Sequence, residues 1–302
     1  MRYRGRFAPS PTGPLHFGSL IAAVASWLDA RAAGGTWLVR LEDVDVTRTV
    51  PGAADAILRA LEAFDLHWDG EIVRQTGRAS LYEQALETLV RRGEVYRCRC
   101  SRKEVADSGV RGLEGAVYPG TCRDLRLGED VAAAVRMRVP AGPVSFDDRV
   151  QHRLSQDVAR DIGDFILKRR DGLFAYQLAV VVDDAQQGIT DVVRGADLLA
   201  STPRQILLQR SLGFPTPRYL HVPVAVTQRG EKLSKQTRAT PVDANDAARL
   251  LNAALEFLGQ PRSASASPRE ILAEAVSRWD PARVPRRETH TFSDADGATR
   301  GL

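Results

Sequence analysis

The chain has 302 residues, enough for two domains with sizeable cores. Its apolar fraction of 43% and charged fraction of 26% exclude a disordered or fibrous chain, and no apolar run approaches the about 20 residues of a membrane helix. The formal net charge of +4, from 42 basic and 38 acidic residues, permits a polyanionic partner without requiring one.

Met1-Arg2-Tyr3-Arg4-Gly5-Arg6 leads into no apolar signal core, so the expected compartment is the cytoplasm, with no membrane partner. Residues 3–8 read as a strand, ended by the rigid turn Pro9-Ser10-Pro11-Thr12-Gly13-Pro14. Leu20, Val24, Trp27, Leu28 and Arg31 follow helical spacing, and Gly34-Gly35 stops that helix. Residues 37–41 form a near-continuous apolar strand bounded by Glu42-Asp43. Strand, helix and strand in so short a span predict a parallel, right-handed βαβ unit. Two further helices are expected at 53–66 and 80–91. Residues 93–125 read as an insertion, in which Ser101 and Glu104 form a capping box.

Strands follow at 135–139 and 144–146. Residues 165–168 and 176–183 read as a strand pair joined through Arg170-Asp171-Gly172. Thr202-Pro203 opens a helix that Gly213 closes. Residues 221–226 are strand-like and run into the polar loop Gln228-Arg229-Gly230-Glu231. Ser263 to Pro268 is linker-like, a short helix is expected at 269–277, and the last 20 or so residues form a polar, mobile tail.

Two stretches carry chemistry. In the first, a strand runs through a Pro/Gly turn into a helix start at His16-Phe17-Gly18-Ser19. Free N–H groups and the positive dipole end make such a start an anion site; a tight turn with a capping histidine would present the same residues. The second is Lys232-Leu233-Ser234-Lys235, two lysines three apart in a loop, within reach of one polyphosphate. Short basic loops are more often simply solvated. A third cluster is Cys98, Cys100 and Cys122. An odd count in a cytosolic chain points to metal or free thiols rather than disulfides. Three thiolates make a zinc corner, but a closed site has four ligands. No histidine lies between residues 68 and 151, and the nearby polar candidates are Tyr118, Asp107, Glu114 and Asp124.

In this order, His16-Phe17-Gly18-Ser19 and Lys232-Leu233-Ser234-Lys235-Gln236 resemble the HIGH and KMSKS signatures of class I aminoacyl-tRNA synthetases. Arg6 to Gly13, Arg40-Leu41-Glu42-Asp43-Val44-Asp45, Tyr176 to Asp184 and Gly188 to Asp197 are similar to the glutamyl and glutaminyl branch. Matching blocks run from residue 6 to about 238. The departures are mild: Phe17 and Ser19 stand where the name motif has Ile and His, Leu233 replaces Met, and Gln236 replaces Ser.

The resemblance implies an α/β, Rossmann-type catalytic domain with a parallel sheet, a zinc-containing insertion and a short, mainly helical C-terminal part. The halves of the catalytic domain would be 1–92 and 166–240, the insertion 93–165, and the C-terminal segment with its polar tail 241–302. It further implies ATP-dependent activation of L-glutamate. Free glutamate carries two carboxylates and an ammonium. Arg6 and Arg194 suit the carboxylates by two-pronged pairing, Glu42 suits the ammonium, and Ser10 and Tyr176 supply neutral hydrogen bonds, with Phe7, Ala8 and Pro9 in the same stretch. His16, Gly18, Lys232 and Lys235 would bind ATP, accompanied by Mg²⁺, with His16 and Lys235 stabilising the phosphate charge. Surface ion pairing is the plain alternative for Glu42 and Arg194.

Glutamyl enzymes that bind zinc tend to supply histidine. The Cys-x-Cys…Tyr-x-x-x-Cys spacing resembles instead a queuosine-modifying branch, in which Tyr118 would join Cys98, Cys100 and Cys122 as ligand. Three buried free cysteines without metal is the plain alternative. The residues after Lys235 are too few and too polar for a helical anticodon-binding domain, which is expected to be absent. Together these imply a ligase-type enzyme, expected to be monomeric, that transfers glutamate to queuosine in the anticodon of tRNA(Asp). A truncated glutamyl-tRNA synthetase charging the tRNA 3′ end, an adenylate-inactive tRNA-binding regulator, and a nucleotidyltransferase sharing the fold are the rivals; the last does not explain the amino-acid residues.

Overall fold

The computed structural model describes residues 2–108, 111–227 and 241–292. Strand β1 (Arg4–Phe7), helix α1 (Phe17–Ala32) and strand β2 (Thr36–Leu41) form the expected parallel βαβ unit, with Arg4 opposite Thr36 and Phe7 opposite Val39. Gly34 ends α1 at φ +59°, and at Gly35 a Cβ would lie 2.6 Å from the Tyr3 carbonyl oxygen. A side chain there would force β2 away from β1.

Helix α2 (Ala53–Ala63) leads to β3 (Val73–Arg74), parallel to β2, and then to α3 (Ala79–Arg91). The insertion follows, with β4 (Val95–Cys98), α4 (Arg102–Asp107), and the small hairpin β5 (Arg111–Gly112) and β6 (Gly115–Ala116). The capping box is present: Glu104 N–H donates to Ser101 Oγ at 3.2 Å and Ser101 N–H to Glu104 Oε2 at 2.6 Å. Strand β7 (Ala134–Met137) pairs antiparallel with β4; β8 (Val144–Asp148) and β9 (His152–Gln156) form a hairpin before α5 (Val158–Asp161); and β10 (Ile166–Lys168) returns to β7.

The second half of the sheet is α6 (Tyr176–Gln186), β11 (Asp191–Gly195), α7 (Thr202–Leu212) and β12 (Arg218–Val222). Strands β11 and β12 are parallel. Thr190 N–H donates to the Arg4 carbonyl at 2.9 Å, which sets β11 beside β1. The parallel strands therefore run β3, β2, β1, β11, β12, with connections leaving in opposite directions on either side of the β1–β11 seam.

One expected element is different. Residues 176–183 are helical rather than the second strand of a pair. Leu178, Ala179, Val180, Val181 and Val182 are all buried, because α6 is packed between the sheet and α3 and α7. A continuous apolar run suits a buried helix as well as a buried strand, and periodicity does not separate them. The strand at 221–226 is also divided: Pro223 separates β12 from β13 (Val224–Val226).

After α8 (Ala247–Phe257) and α9 (Pro268–Arg278), the polar end of the chain is more structured than its composition suggests. Strand β14 (Thr289–Thr291) pairs parallel with β13, and Phe292 packs at 4.4 Å from the Phe17 ring. The sequence reading missed it because a three-residue strand of Thr-His-Thr has no apolar alternation. One core lies between the sheet and α1, α8 and α9, another between the sheet and α3, α6 and α7, and a small third core surrounds Tyr96, Cys98, Tyr118 and Cys122. Among the described residues no helix is long and apolar enough to cross a membrane.

Asp29 on α1 ties the first of these cores together. It accepts from Tyr3 Oη at 2.6 Å, from Arg149 at 2.5 and 2.9 Å, and from Trp279 Nε1 at 2.9 Å. Asp29→Ala strands a partly buried guanidinium and two donors, so we expect a loss of about 3 kcal/mol in unfolding free energy by urea titration. An unchanged midpoint would contradict that role.

Candidate active site

The parallel strands end on one edge, and the chain crosses that edge on both sides of the β1–β11 seam. Such a seam opens a crevice at the strand carboxyl ends. Here it is a cavity of about 500 Å³. Residues 7–10 enter from β1, Glu42 from β2, Gly195, Asp197 and Leu198 from β11, and Pro223 to Ala225 from β12. Its lining contains Arg6, Phe7, Ala8, Pro9, Ser10, His16, Gly18, Glu42, Tyr176 and Arg194, so the structure brings these sequence-derived candidates together. Lys232 and Lys235 lie outside the described residues.

His16 is the N-cap of α1. Its Nδ1 accepts from Ser19 N–H at 3.2 Å, and its Nε2 is 3.0 Å from Ser19 Oγ. With Nδ1 accepting, the neutral ring carries its proton on Nε2. The capping and anion-site readings of this motif are one geometry: the ring that caps the helix also lines the cavity.

Beneath the cavity floor lies a network of buried ions. Arg40 is fully buried and donates to Asp184 Oδ1 at 2.8 Å, to Glu42 Oε1 at 3.1 Å and to Gln187 Oε1 at 2.7 Å. Arg6 donates through Nε to Asp184 Oδ1 at 3.1 Å and through a terminal nitrogen to Oδ2 at 3.5 Å. The two-pronged grip expected of Arg6 is thus engaged by the protein's own Asp184. Asp183 receives Arg78 Nε at 2.6 Å, Gln75 at 2.8 Å and Tyr82 Oη at 2.8 Å. Burial works against the charge on Asp184, yet Arg6 and Arg40 hold its carboxyl below the usual range. In Glu42 burial wins and its carboxyl is raised, although Arg40 and Arg6 oppose it. A ligand ammonium beside Glu42 would favour the carboxylate.

Arg194 is the other buried cation, 5% exposed. Its Nε donates to His221 Nε2 at 3.0 Å and one terminal nitrogen donates to Thr202 Oγ1 at 2.9 Å. The remaining terminal nitrogen, NH1, is buried with no hydrogen-bond partner among the described residues. A buried donor left unpaired costs free energy, and a ligand carboxylate would satisfy it. Surface ion pairing, the plain alternative for Arg194, does not describe this environment.

His221, Asp148, Thr202 and Asp184 were not assigned work from sequence. His221 had one signal, a histidine heading a run that is otherwise apolar. Asp148 had none, since a carboxylate at a strand end commonly faces water. His221 Nδ1 is 2.6 Å from Asp148 Oδ2, and both side chains are fully buried. Burial, with Arg194 alongside, pushes the imidazole down to about 4 despite the Asp148 bond, so the ring is neutral.

The three cysteine sulfurs lie within 4.8 Å of one another, with Cys100 Sγ 3.5 Å from Cys122 Sγ. Tyr118 Oη sits 3.3 Å from Cys98 Sγ and 3.8 Å from Cys100 Sγ, and accepts from Cys122 N–H at 2.8 Å. Sulfurs of a tetrahedral zinc–thiolate centre are about 3.8 Å apart, from bonds of about 2.3 Å. The donor set is therefore compatible with zinc. Burial pushes the Tyr118 hydroxyl well above its ordinary range and the Cys100 thiol up to about 11, so ionising both calls for a cation. The Arg136 guanidinium, 3.9 Å from the Tyr118 ring centre, also favours negative charge there. No geometry here engages Asp107, Glu114 or Asp124 with the sulfurs; Glu114 instead pairs with Arg204 on α7.

A crevice at the strand carboxyl ends, opened by a histidine-capped helix, defines a nucleotide-binding enzyme of the doubly wound α/β class. The chain belongs to the class I tRNA synthetases (E and Q): residues 2–259 match that catalytic domain. It is 57% identical over 290 residues to the glutamyl-Q tRNA(Asp) synthetase of Dechloromonas aromatica, covering 94% of this chain and 96% of that one. It is 55% identical over 284 residues to the enzyme of the same name from Chromobacterium violaceum, covering 94% and 95%. In fold it is similar to the glutamate-tRNA synthetase of Elizabethkingia anophelis, with a TM-score of 0.83 and 23% identity, covering 99% of this chain and 69% of that one.

The lowered His221 value sets a pH dependence. The unfolded ring takes its proton first, so stability falls as pH drops from 6.5 towards about 4. His290 is lowered as well and contributes in the same direction. Urea unfolding across this window should therefore show a shallower slope in His221→Asn than in the wild type. Parallel slopes would contradict a neutral buried His221.

Proposed function

We propose that this protein activates L-glutamate with ATP and transfers it to the queuosine base in the anticodon of tRNA(Asp). The glutamate half rests on one observation: a single cavity is lined by Arg194, with its unpartnered NH1, and by the buried carboxylate of Glu42. A carboxylate and an ammonium on one small molecule complement that pair. Ser10 and Tyr176 supply neutral hydrogen bonds, and residues 7–9 supply backbone beside it. The acceptor half is supported by the relatives that share 55–57% of their residues with this chain.

The glutamate α-carboxylate attacks the α-phosphorus of ATP, a P–O bond forms as the bond to pyrophosphate breaks, and glutamyl-adenylate results. Substrate ATP is the magnesium complex. His16 and the N-terminus of α1 stabilise charge on the phosphates beside Gly18, and Lys232 and Lys235 neutralise the departing pyrophosphate. A queuosine hydroxyl then attacks the mixed anhydride, its proton leaves, and AMP departs. No covalent enzyme intermediate is required. Cys98, Cys100, Cys122 and Tyr118 would hold a structural zinc, which would supply cross-linking of the insertion and no chemistry to the cavity.

The test compares tRNA(Asp) with and without queuosine as acceptor for [¹⁴C]glutamate. We expect labelling to require queuosine. Equal labelling of both would instead assign the 3′-charging activity of a glutamyl-tRNA synthetase, and absence of glutamate-dependent ATP–pyrophosphate exchange would assign a tRNA-binding regulator. For the metal, elemental analysis should find about one zinc per chain in the purified wild type and a loss of it in Cys122→Ser; a zinc-free wild type would overturn that assignment.

A further inference from the structure

Arg194 is fenced on every side but one. His221 takes its Nε, Thr202 Oγ1 and the Leu198 carbonyl take NH2 at 2.9 and 3.4 Å, and the Tyr219 ring lies 5.6 Å from its Cζ. This leaves NH1 for a ligand. The fence works only if His221 Nε2 is an acceptor. That nitrogen accepts only when the ring proton sits on Nδ1, and Nδ1 keeps it only while a carboxylate stands opposite.

Asp148 is built for that task. Its Oδ1 accepts from the N–H groups of Val150 at 3.0 Å, Gln151 at 2.8 Å and His221 at 3.2 Å. Those bonds fix the carboxylate in place and leave Oδ2 for His221 Nδ1 at 2.6 Å. The His221 ring is further held against Tyr219, with 6.0 Å between ring centres and 15° between planes. Asp148 ends β8, His221 is on β12 and Arg194 on β11, so three adjacent strands carry the three groups.

We propose that Asp148 and His221 are positioning residues for glutamate: their hydrogen-bonded chain fixes the imidazole tautomer and through it aims the guanidinium of Arg194 at the substrate carboxylate. This rests on the reading of Arg194 as a glutamate-binding group. Neither Asp148 nor His221 is among the residues lining the cavity, so they act through Arg194 and not on the substrate.

The tautomer gives a readout that a merely structural role would not move. In Asp148→Asn the amide oxygen can keep the three backbone N–H bonds, and the amide NH₂ then faces Nδ1. The ring must shift its proton to Nε2, where it confronts the Nε–H of Arg194. His221→Asn keeps a donor for Asp148 but removes the acceptor for Arg194. His221→Gln keeps an acceptor near the Nε2 position and should recover part of the loss.

The experiment measures glutamate-dependent ATP–pyrophosphate exchange in the full-length chain, with ¹⁵N NMR of the imidazole. Asp148→Asn and His221→Asn should each raise the KM for glutamate about ten- to hundredfold, the range of a lost hydrogen bond to a charged group, and change the KM for ATP about twofold at most. The wild-type spectrum should show a protonated Nδ1 and bare Nε2, and Asp148→Asn the reverse. An unchanged glutamate KM in both variants, with Arg194→Ala strongly impaired, overturns the relay alone. An unimpaired Arg194→Ala overturns the glutamate reading and the relay with it. If a variant fails to fold, the wild-type tautomer decides: a protonated Nε2 overturns the proposal.

Discussion

Everything at this site depends on the ion network under the cavity floor. Arg6, Arg40 and Arg78 face Glu42, Asp183 and Asp184, three guanidinium groups against three carboxyl groups, all buried except for part of Arg78. Burying each ion costs several kcal/mol, and close pairing offsets that cost only when every partner is present. Arg40 meets three carboxylates at once, so it cannot shift without exposing one of them. The network joins β1, β2 and α6, and so it fixes both the carboxyl end of β1 and the start of the loop after β2. Those are the places that supply Arg6, Ser10 and Glu42 to the cavity.

The cavity is therefore built on elements that do not move independently. The single-residue step at Pro223 between β12 and β13 closes another wall, and β14 pairs with β13. The cysteine cluster is attached to the same frame. Tyr118 forms a bridge with Gly163, whose φ of +78° brings its Cα against the Tyr118 backbone, and Glu114 pairs with Arg204 on α7. Those two contacts seat the insertion on the catalytic frame.

Local rules made much of this readable in the chain. The β1–α1–β2 unit, the Ser101 cap, and the Thr202-Pro203 to Gly213 helix each follow from residues adjacent in sequence. The cavity residues were legible because motifs carry them: Arg6 to Ser10, His16 to Ser19, Glu42, Tyr176 and Arg194 each sit in a recognisable block. What stayed hidden is non-local. Asp148 and His221 are 73 residues apart and meet only because β8 and β12 are neighbours. The partner of Arg6 was hidden for the same reason, since Asp184 lies 178 residues away. The helix at Tyr176–Gln186 was misread because its apolar run is buried on all sides, which erases the period that distinguishes helix from strand.

Glutamate activated by this enzyme ends on a modified base. Nuclease digestion of tRNA(Asp) after transfer of [¹⁴C]glutamate, followed by separation of the nucleosides, tests it directly. Label is expected on the queuosine nucleoside and none on the 3′-terminal adenosine. Label on that adenosine would contradict it.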